Sequence, residues 1–199
     1  MKKALLLLPF LILGIFNASA QVDTVCAGAT GVSYWVNGQA GSTFAWTVNG
    51  GTQASGSNTD SITIDFSNTT GTDTISVIET DSNGCPGDPV ILAITRMPLP
   101  DATISTSTPL CYEDSTTLTV TLTGTLPWDL TYNDGSGDQT VSVTSSPYTI
   151  NTSSLTTTTT YTLKEVEDRL GCKSTLSGVS ATSTVTVYPQ VVTPAIQHN

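Results

Sequence analysis

Charge is scarce in this 199-residue chain, and positive charge scarcest of all: six Lys and Arg stand against sixteen Asp and Glu, with one His. Phosphate recognition needs clustered Lys and Arg, so nucleic acid is excluded as a partner. The lone imidazole, His198, lies one residue from the C-terminus, where chain ends fray. A hydrolytic triad needs an imidazole held by packing, and this position does not offer one. Long apolar runs are missing too. The longest, Ala4 to Phe16, has 13 residues, short of the roughly 20 that span a bilayer as a helix. Sustained helical periodicity is also absent. The nearest candidate, "LKEVEDRLG" (Leu163 to Gly171), continues the run "TTTTTYTL" and reads as a long strand entering a turn.

That short apolar run has a use. Lys2 and Lys3 precede it and Ala18-Ser19-Ala20 follow it, the pattern of a secretory signal peptide cleaved after residue 20. Gln21 rather than Cys follows the cleavage site, which argues against a lipid anchor. Removing residues 1–20 from 199 leaves 179, with four basic residues (Arg96, Lys164, Arg169, Lys173) against sixteen acidic ones, a net charge of about −12. Such a surface keeps an exported protein soluble and attracts cations. Export through the Sec pathway is expected, to the periplasm, the outer-membrane surface or beyond the cell. No membrane-spanning segment is expected in the mature chain, and its oligomeric state is left open.

Beyond the signal, short runs rich in Val, Ile, Thr and Tyr alternate apolar with polar residues between clusters of Gly, Asn, Asp and Ser, an all-β texture. Phe44, Trp46 and Val48 share one strand face, as do Ile62, Ile64 and Phe66, then Leu118, Val120 and Leu122, then Val185 and Val187. "TISVIETDSNGC" (Thr74 to Cys85) aligns with "YTLKEVEDRLGC" (Tyr161 to Cys172), an internal repeat. Cys26 and Cys85 are 59 residues apart, Cys111 and Cys172 61. Four Cys in an exported chain imply two disulfides in one of three connectivities. The repeat favours Cys26 with Cys85 and Cys111 with Cys172, one bridge per unit. The boundary falls in "TRMPLPDAT", where Pro98 and Pro100 stiffen the link. The expected organisation is a signal at 1–20, units at 21–98 and 99–190, and a tail at 191–199.

"GSTFAWTVNGG", "SITIDF" and "GTDTISVIETDSNGC" together resemble the PKD-like, immunoglobulin-type repeats of surface proteins of Bacteroidota, among them adhesins and gliding-associated proteins. "LCYEDSTTLTVTLTGTLPWDLTYNDG", "SSPYTI" and "TTTTTYTLKEV" resemble a sister repeat. The resemblance implies two tandem immunoglobulin-like β-sandwich domains with a structural or adhesive role. Sandwiches of this kind host many functions, so it speaks to fold more than to activity. Antibody-type domains stack their disulfide on a core Trp. Here Cys85 and Cys172 follow turns directly, which puts them at sandwich ends and leaves Trp46 and Trp128 to fill cores without sulfur. Trp35, next to Tyr34 in a strand, points the opposite way. The sorting domain that usually ends type IX-secreted proteins has no counterpart before "AIQHN", so a periplasmic or partner-held location stays open beside surface delivery. Asp followed by Ser or Thr resembles the O-glycosylation signal of exported Bacteroidota proteins, with Thr24, Ser61, Thr74 and Ser115 as acceptors.

Other candidate sites each have a structural reading beside them. Asp134, Ser136 and Asp138 alternate as Ca²⁺ ligands do, but lack the remaining ligands of an EF-hand and suit a hairpin loop equally. Asp101 or Glu113 would serve a weaker cation site between the units. Glu165 and Glu167 share a strand face as a hydrolase pair could, or as a solvated face does. Trp35, Tyr112 and Tyr132 are candidates for a sugar platform, against the use of most aromatics as core. Pro194, Ile196 and His198 mark the tail as a segment able to add to a neighbour's sheet. The expected protein is non-enzymatic and without a cofactor, apart from a possible structural Ca²⁺. It would bind a cell-envelope protein or a surface glycan. A carbohydrate-binding module is the second reading and an envelope glycoside hydrolase the third.

Overall fold

The computed structural model describes residues 21–105 and 108–198. The expected signal at 1–20 lies outside the described residues, as does Asn199. The first half contributes β1 (Gln21–Cys26), β2 (Val32–Trp35), β3 (Thr43–Asn49), β4 (Gly51–Ser55), β5 (Ser61–Phe66), β6 (Gly71–Thr80) and β7 (Val90–Met97). The second contributes β8 (Asp101–Ile104), β9 (Leu110–Cys111), β10 (Thr117–Thr123), β11 (Trp128–Asn133), β12 (Asp138–Val143) and β13 (Tyr148–Asn151). It continues with β14 (Thr159–Asp168), β15 (Lys173–Thr175), β16 (Thr182–Val185) and β17 (Val187–Tyr188). The stretch at Leu163–Asp168 is the end of β14, running into a turn at Gly171.

Strands β1 to β7 form two sheets, ordered β1-β7-β6-β3 and β2-β5-β4. From β8 onward the chain forms β13-β10-β8 and β12-β11-β14-β15, with β16 also on β14 and β17 beside β9. Every period-two face read from the sequence points inward. On β5, Ile62, Ile64 and Phe66 are buried; on β10, Leu118, Val120 and Leu122 are. Alternation produces this because successive strand side chains face opposite sides, and only one side of each sheet is covered. Trp128 is buried in the larger cluster and donates its indole N–H to the carbonyl of Thr123 at 3.0 Å. Trp46 packs against the smaller cluster and donates to the carbonyl of Thr59 at 2.9 Å. A buried indole without an acceptor would be costly, and both have one.

Most pairings are antiparallel, but β1 runs parallel to β7 with Cys26 opposite Met97, and β17 runs parallel to β9 with Tyr188 opposite Cys111. This topology overturns the expected disulfides. Cys26 bonds to Cys172, with Cα atoms 5.5 Å apart, while Cys85 and Cys111 are exposed and unpaired. The reason lies in the register. Cys26 sits at the C-terminal end of β7, where Gly71 at the start of β6 pairs with Arg96. Cys85 lies past the far end of β6, and ten strand residues rise roughly 33 Å. Cysteines at opposite ends of one sheet cannot bond, since Cα atoms must approach within about 7 Å. The same holds in the second half: Val187 donates to Thr158 just before β14, so Cys111 lies beyond one end of β14 and Cys172 beyond the other. The expectation of one bridge within each unit is therefore replaced by a single bridge across the halves.

Candidate binding surface

Phase along the strands builds a groove in the first half. Tyr34 on β2 faces inward, meets Phe66 edge-on at 6.5 Å, and donates its hydroxyl to Asp23 Oδ2 on β1 at 3.1 Å. Burial, helped by that bond to a carboxylate, pushes the Tyr34 hydroxyl well above its ordinary value, so it remains a donor. Its neighbour Trp35 must therefore face out, and it is 70% exposed. Beneath these residues lies a groove of about 460 Å³, with Val22, Trp35, Trp46, Ile75, Val90 and Leu92 among its lining residues. Val22, Val90 and Ile91 are exposed around it. Strands β1 and β2 are both terminal in their sheets, so the groove opens along two strand edges.

Under the same half lies an ion pair that reading the sequence for candidate sites did not single out. Arg96 Nε stands 2.8 Å from Asp73 Oδ2, with side chains 10% and 1% exposed. This is an ionic contact; the directed bond runs from Nη2 to Asp73 Oδ1 at 3.1 Å, and Nη1 donates to Ser67 and Thr69. Gly50, at φ +100°, leaves the space: a Cβ there would meet Asp73 Oδ1 at 1.9 Å. A signal existed in the sequence. Asp73 falls in phase with Ile75 and Val77, and Arg96 in phase with Ile94, so opposite charges occupy inward positions on adjacent strands.

The candidate sites disperse. Asp134 Oδ1 accepts from the backbone and hydroxyl of Ser136 and from Gly137 N–H, closing the hairpin between β11 and β12. These bonds, led by the Ser136 hydroxyl, hold its carboxyl below the usual range. Asp138 accepts from Asn133 at 2.7 Å and pairs with Lys164 at 2.8 Å, and its carboxyl is lowered in the same order of cause. Asp101 pairs with Thr123 at one end of β10, whereas Glu113 precedes the other. Among the described residues no three His, Cys, Asp or Glu side chains gather as a metal-binding group. Glu165 and Glu167 both reach Lys173, at 3.4 and 3.0 Å, and the nearby carboxylates, Glu167 first, push its ammonium pKa up.

Of the aromatic candidates, Trp35 stands on β2, Tyr112 follows β9, and Tyr132 on β11 packs against the larger core, its hydroxyl pKa raised by burial. They stand on separate elements and form no stacked pair among the described residues. Thr24, Ser61, Thr74 and Ser115 are all exposed, although Asp73 and Ile75 beside Thr74 belong to the interior. Residues 189–198, with Pro194, Ile196 and His198, have no regular structure, and Val191, Val192 and Ile196 project into solvent.

The turns before Cys85 and Cys172 are built alike. Asp81 Oδ1 accepts from Asn83 N–H at 2.9 Å and Cys85 N–H at 2.8 Å; Asp168 Oδ1 accepts from Leu170 at 2.9 Å and Cys172 at 3.1 Å. Asp81 N–H donates to the Cys85 carbonyl and Asp168 N–H to that of Cys172. Gly84 and Gly171 take the positive φ that closes each turn, at +84° and +78°. The Cys85 and Asn83 bonds hold the Asp81 carboxyl below its ordinary range.

Residues 16–92 match the family model described as a PKD-like domain. No characterised protein matches the chain by sequence. Among solved structures, the I-band fragment I67–I69 of titin aligns at 12% identity and a TM-score of 0.49, covering 84% of this chain and 63% of that one. Fibronectin(III)-like modules of Clostridium thermocellum CbhA align at 12% identity and a TM-score of 0.41, covering 92% and 98%. The adhesin InvE of Yersinia pseudotuberculosis aligns at 16% and 0.30, covering 83% and 56%. This chain thus spans less than two thirds of the titin fragment's length. Its fold is all-β and immunoglobulin-like, of the PKD-like kind over the first half. A fold of this kind hosts many unrelated functions and does not by itself fix one.

Proposed function

We propose that this chain is an exported, non-enzymatic adhesive module, composed of sandwiches at 21–98 and 99–190, that holds a protein partner in a cell-envelope assembly. The observation carrying the reading is the groove between β1 and β2, rimmed by Trp35, Val22 and Val90. An exposed indole beside aliphatic side chains is the composition of a protein contact centre, where a few aromatic anchors supply most of the binding energy. The flanking strands have free edges, so an extended partner segment can pair with one while its side chains enter the groove. The tail at 191–199, through Pro194 and Ile196, is a second contact segment.

Affinity purification of the tagged chain from its own cells tests this. Trp35→Ala and Val90→Asp are expected to lose the partner while thermal unfolding stays unchanged, because both side chains are exposed. Deleting 191–199 should weaken capture without abolishing it. A partner set unaffected by all three changes overturns the reading. Trp35 also suits the glycan alternative, since a flat indole stacks on a sugar ring. Retention on an immobilised polysaccharide, released by free sugar and lost in Trp35→Ala, would move the assignment there.

A further inference from the structure

The two unpaired cysteines occupy the same places in the fold as the two that are bonded. Cys26 ends a strand lying parallel to the last strand of its set, opposite Met97, and its carbonyl accepts from Ala29 N–H three residues on. Cys111 ends a strand lying parallel to the last strand of its set, opposite Tyr188, and its carbonyl accepts from Asp114 N–H three residues on. Met97 and Tyr188 are each followed by a proline. Cys172 and Cys85 close turns with matching hydrogen bonds, as described above. The disulfide in this chain therefore joins a strand-end cysteine of the first set to a turn cysteine of the second. What remains is the complementary pair, the turn cysteine of the first set and the strand-end cysteine of the second, both exposed.

Each lies at the end of its sheet opposite the bonded cysteine, so both face away from the existing joint. A second observation marks the outer end of the second set: Tyr188, counterpart of the half-buried Met97, is 57% exposed beside Cys111. We propose that the joint between the halves is repeated between molecules, Cys111 of one copy bonding to Cys85 of a second copy in a head-to-tail chain. The contact is heterologous, so it propagates instead of closing on a two-fold axis. Two thiols lose two protons and two electrons to form the bond. A disulfide oxidant of the exported compartment accepts them and becomes a dithiol, by thiolate attack through a mixed disulfide. The inference stands apart from the partner reading above, since it involves neither Trp35 nor the groove.

The test uses the mature full chain in a buffer of oxidised and reduced glutathione at about 0.15 M salt, where charges more than roughly 8 Å apart are screened. Non-reducing electrophoresis should show a ladder of dimers, trimers and larger species that collapses on reduction. Cys85→Ser alone and Cys111→Ser alone should each stay monomeric, and a mixture of the two should give dimers and nothing larger. In a wild-type mixture of isotopically heavy and light chains, peptide mass spectrometry should find Cys85–Cys111 links joining heavy to light, with Cys26–Cys172 always within one chain. Dimers from either single variant would mean like-with-like pairing and overturn the proposal. So would Cys85–Cys111 links confined to single chains, or wild-type monomers retaining two titratable thiols. The wild-type peptide measurement stands even where a variant folds poorly.

Discussion

The two halves of the chain, with seven described strands in the first and ten in the second, fill their interiors differently. The second half gathers sixteen buried residues into one apolar cluster, from Ala102 to Val185. The first gathers five, Ile62, Ile64, Phe66, Ile75 and Ile94, and completes its interior with the separately buried Ala27, Phe44 and Val77, partly covered side chains and the Asp73–Arg96 pair. A half that spends inward positions on charge and leaves a groove between its sheets is less able to stabilise itself through burial and better able to receive another molecule. Packing density and availability for binding therefore trade against each other within one fold, and the contact surface is expected on the looser side.

Breaking the charge pair should have the largest effect. Arg96→Ala leaves Asp73 buried without its partner and should destabilise by about 3–5 kcal/mol in denaturant unfolding. The double variant Asp73→Leu with Arg96→Met should recover most of that, because it removes both charges together. Next comes Leu163→Ala, in the middle of β14 and fully buried, expected to cost about 2–5 kcal/mol through lost burial and the cavity left behind. Where unfolding shows two transitions, Arg96→Ala should lower the earlier one and Leu163→Ala the later one. A single transition lowered equally by both would mean that the halves are one cooperative unit and would erase the comparison.

The matched turns sharpen the contrast at smaller scale. Asp168 is buried and also accepts from Thr125 N–H at 3.2 Å, so Asp168→Ala strands several donors and should cost about 1–3 kcal/mol. Asp81→Ala, in the exposed copy, should cost less, measured the same way. Smallest is the response to acid. Asp81, Asp134, Asp138 and Glu79 all have carboxyl pKa values lowered by hydrogen bonds in the folded chain. A lowered folded value means that the stabilisation is present above the unfolded pKa of about 4 and is lost as pH falls through the folded value. Unfolding midpoints should therefore hold steady from pH 7 to about 5 and decline below about 4. A decline already complete at pH 5 would contradict the assignment.

Much of the fold was legible. Phe44, Trp46 and Val48, or Leu118, Val120 and Leu122, announce their strand and their inward face without any tertiary knowledge, because a half-covered sheet requires alternation. The turn at "DSNGC" was legible as well, since Asp, Asn and Gly at those positions bond their own backbone. The contact surface was only partly legible. That Trp35 and Tyr34 face opposite ways was legible from their adjacency, but which of them faces out was not, and Val22 and Val90, 68 residues apart, become neighbours of Trp35 only when β1 lies parallel to β7. Asp73 and Arg96 could have been noticed as charges in phase with apolar residues. Their bond needed the register of β6 on β7.

Cysteine pairing marks the limit most sharply. The repeat, the four thiols and the turns before Cys85 and Cys172 were determined by sequence alone, because each depends on residues close together along the chain. Which thiol meets which was decided by the tertiary structure. The direction of one edge strand carries Cys26 to the end of its sheet far from Cys85 and next to Cys172. Strand direction is set by how sheets close over a core, a property of the assembled chain that no local spacing encodes.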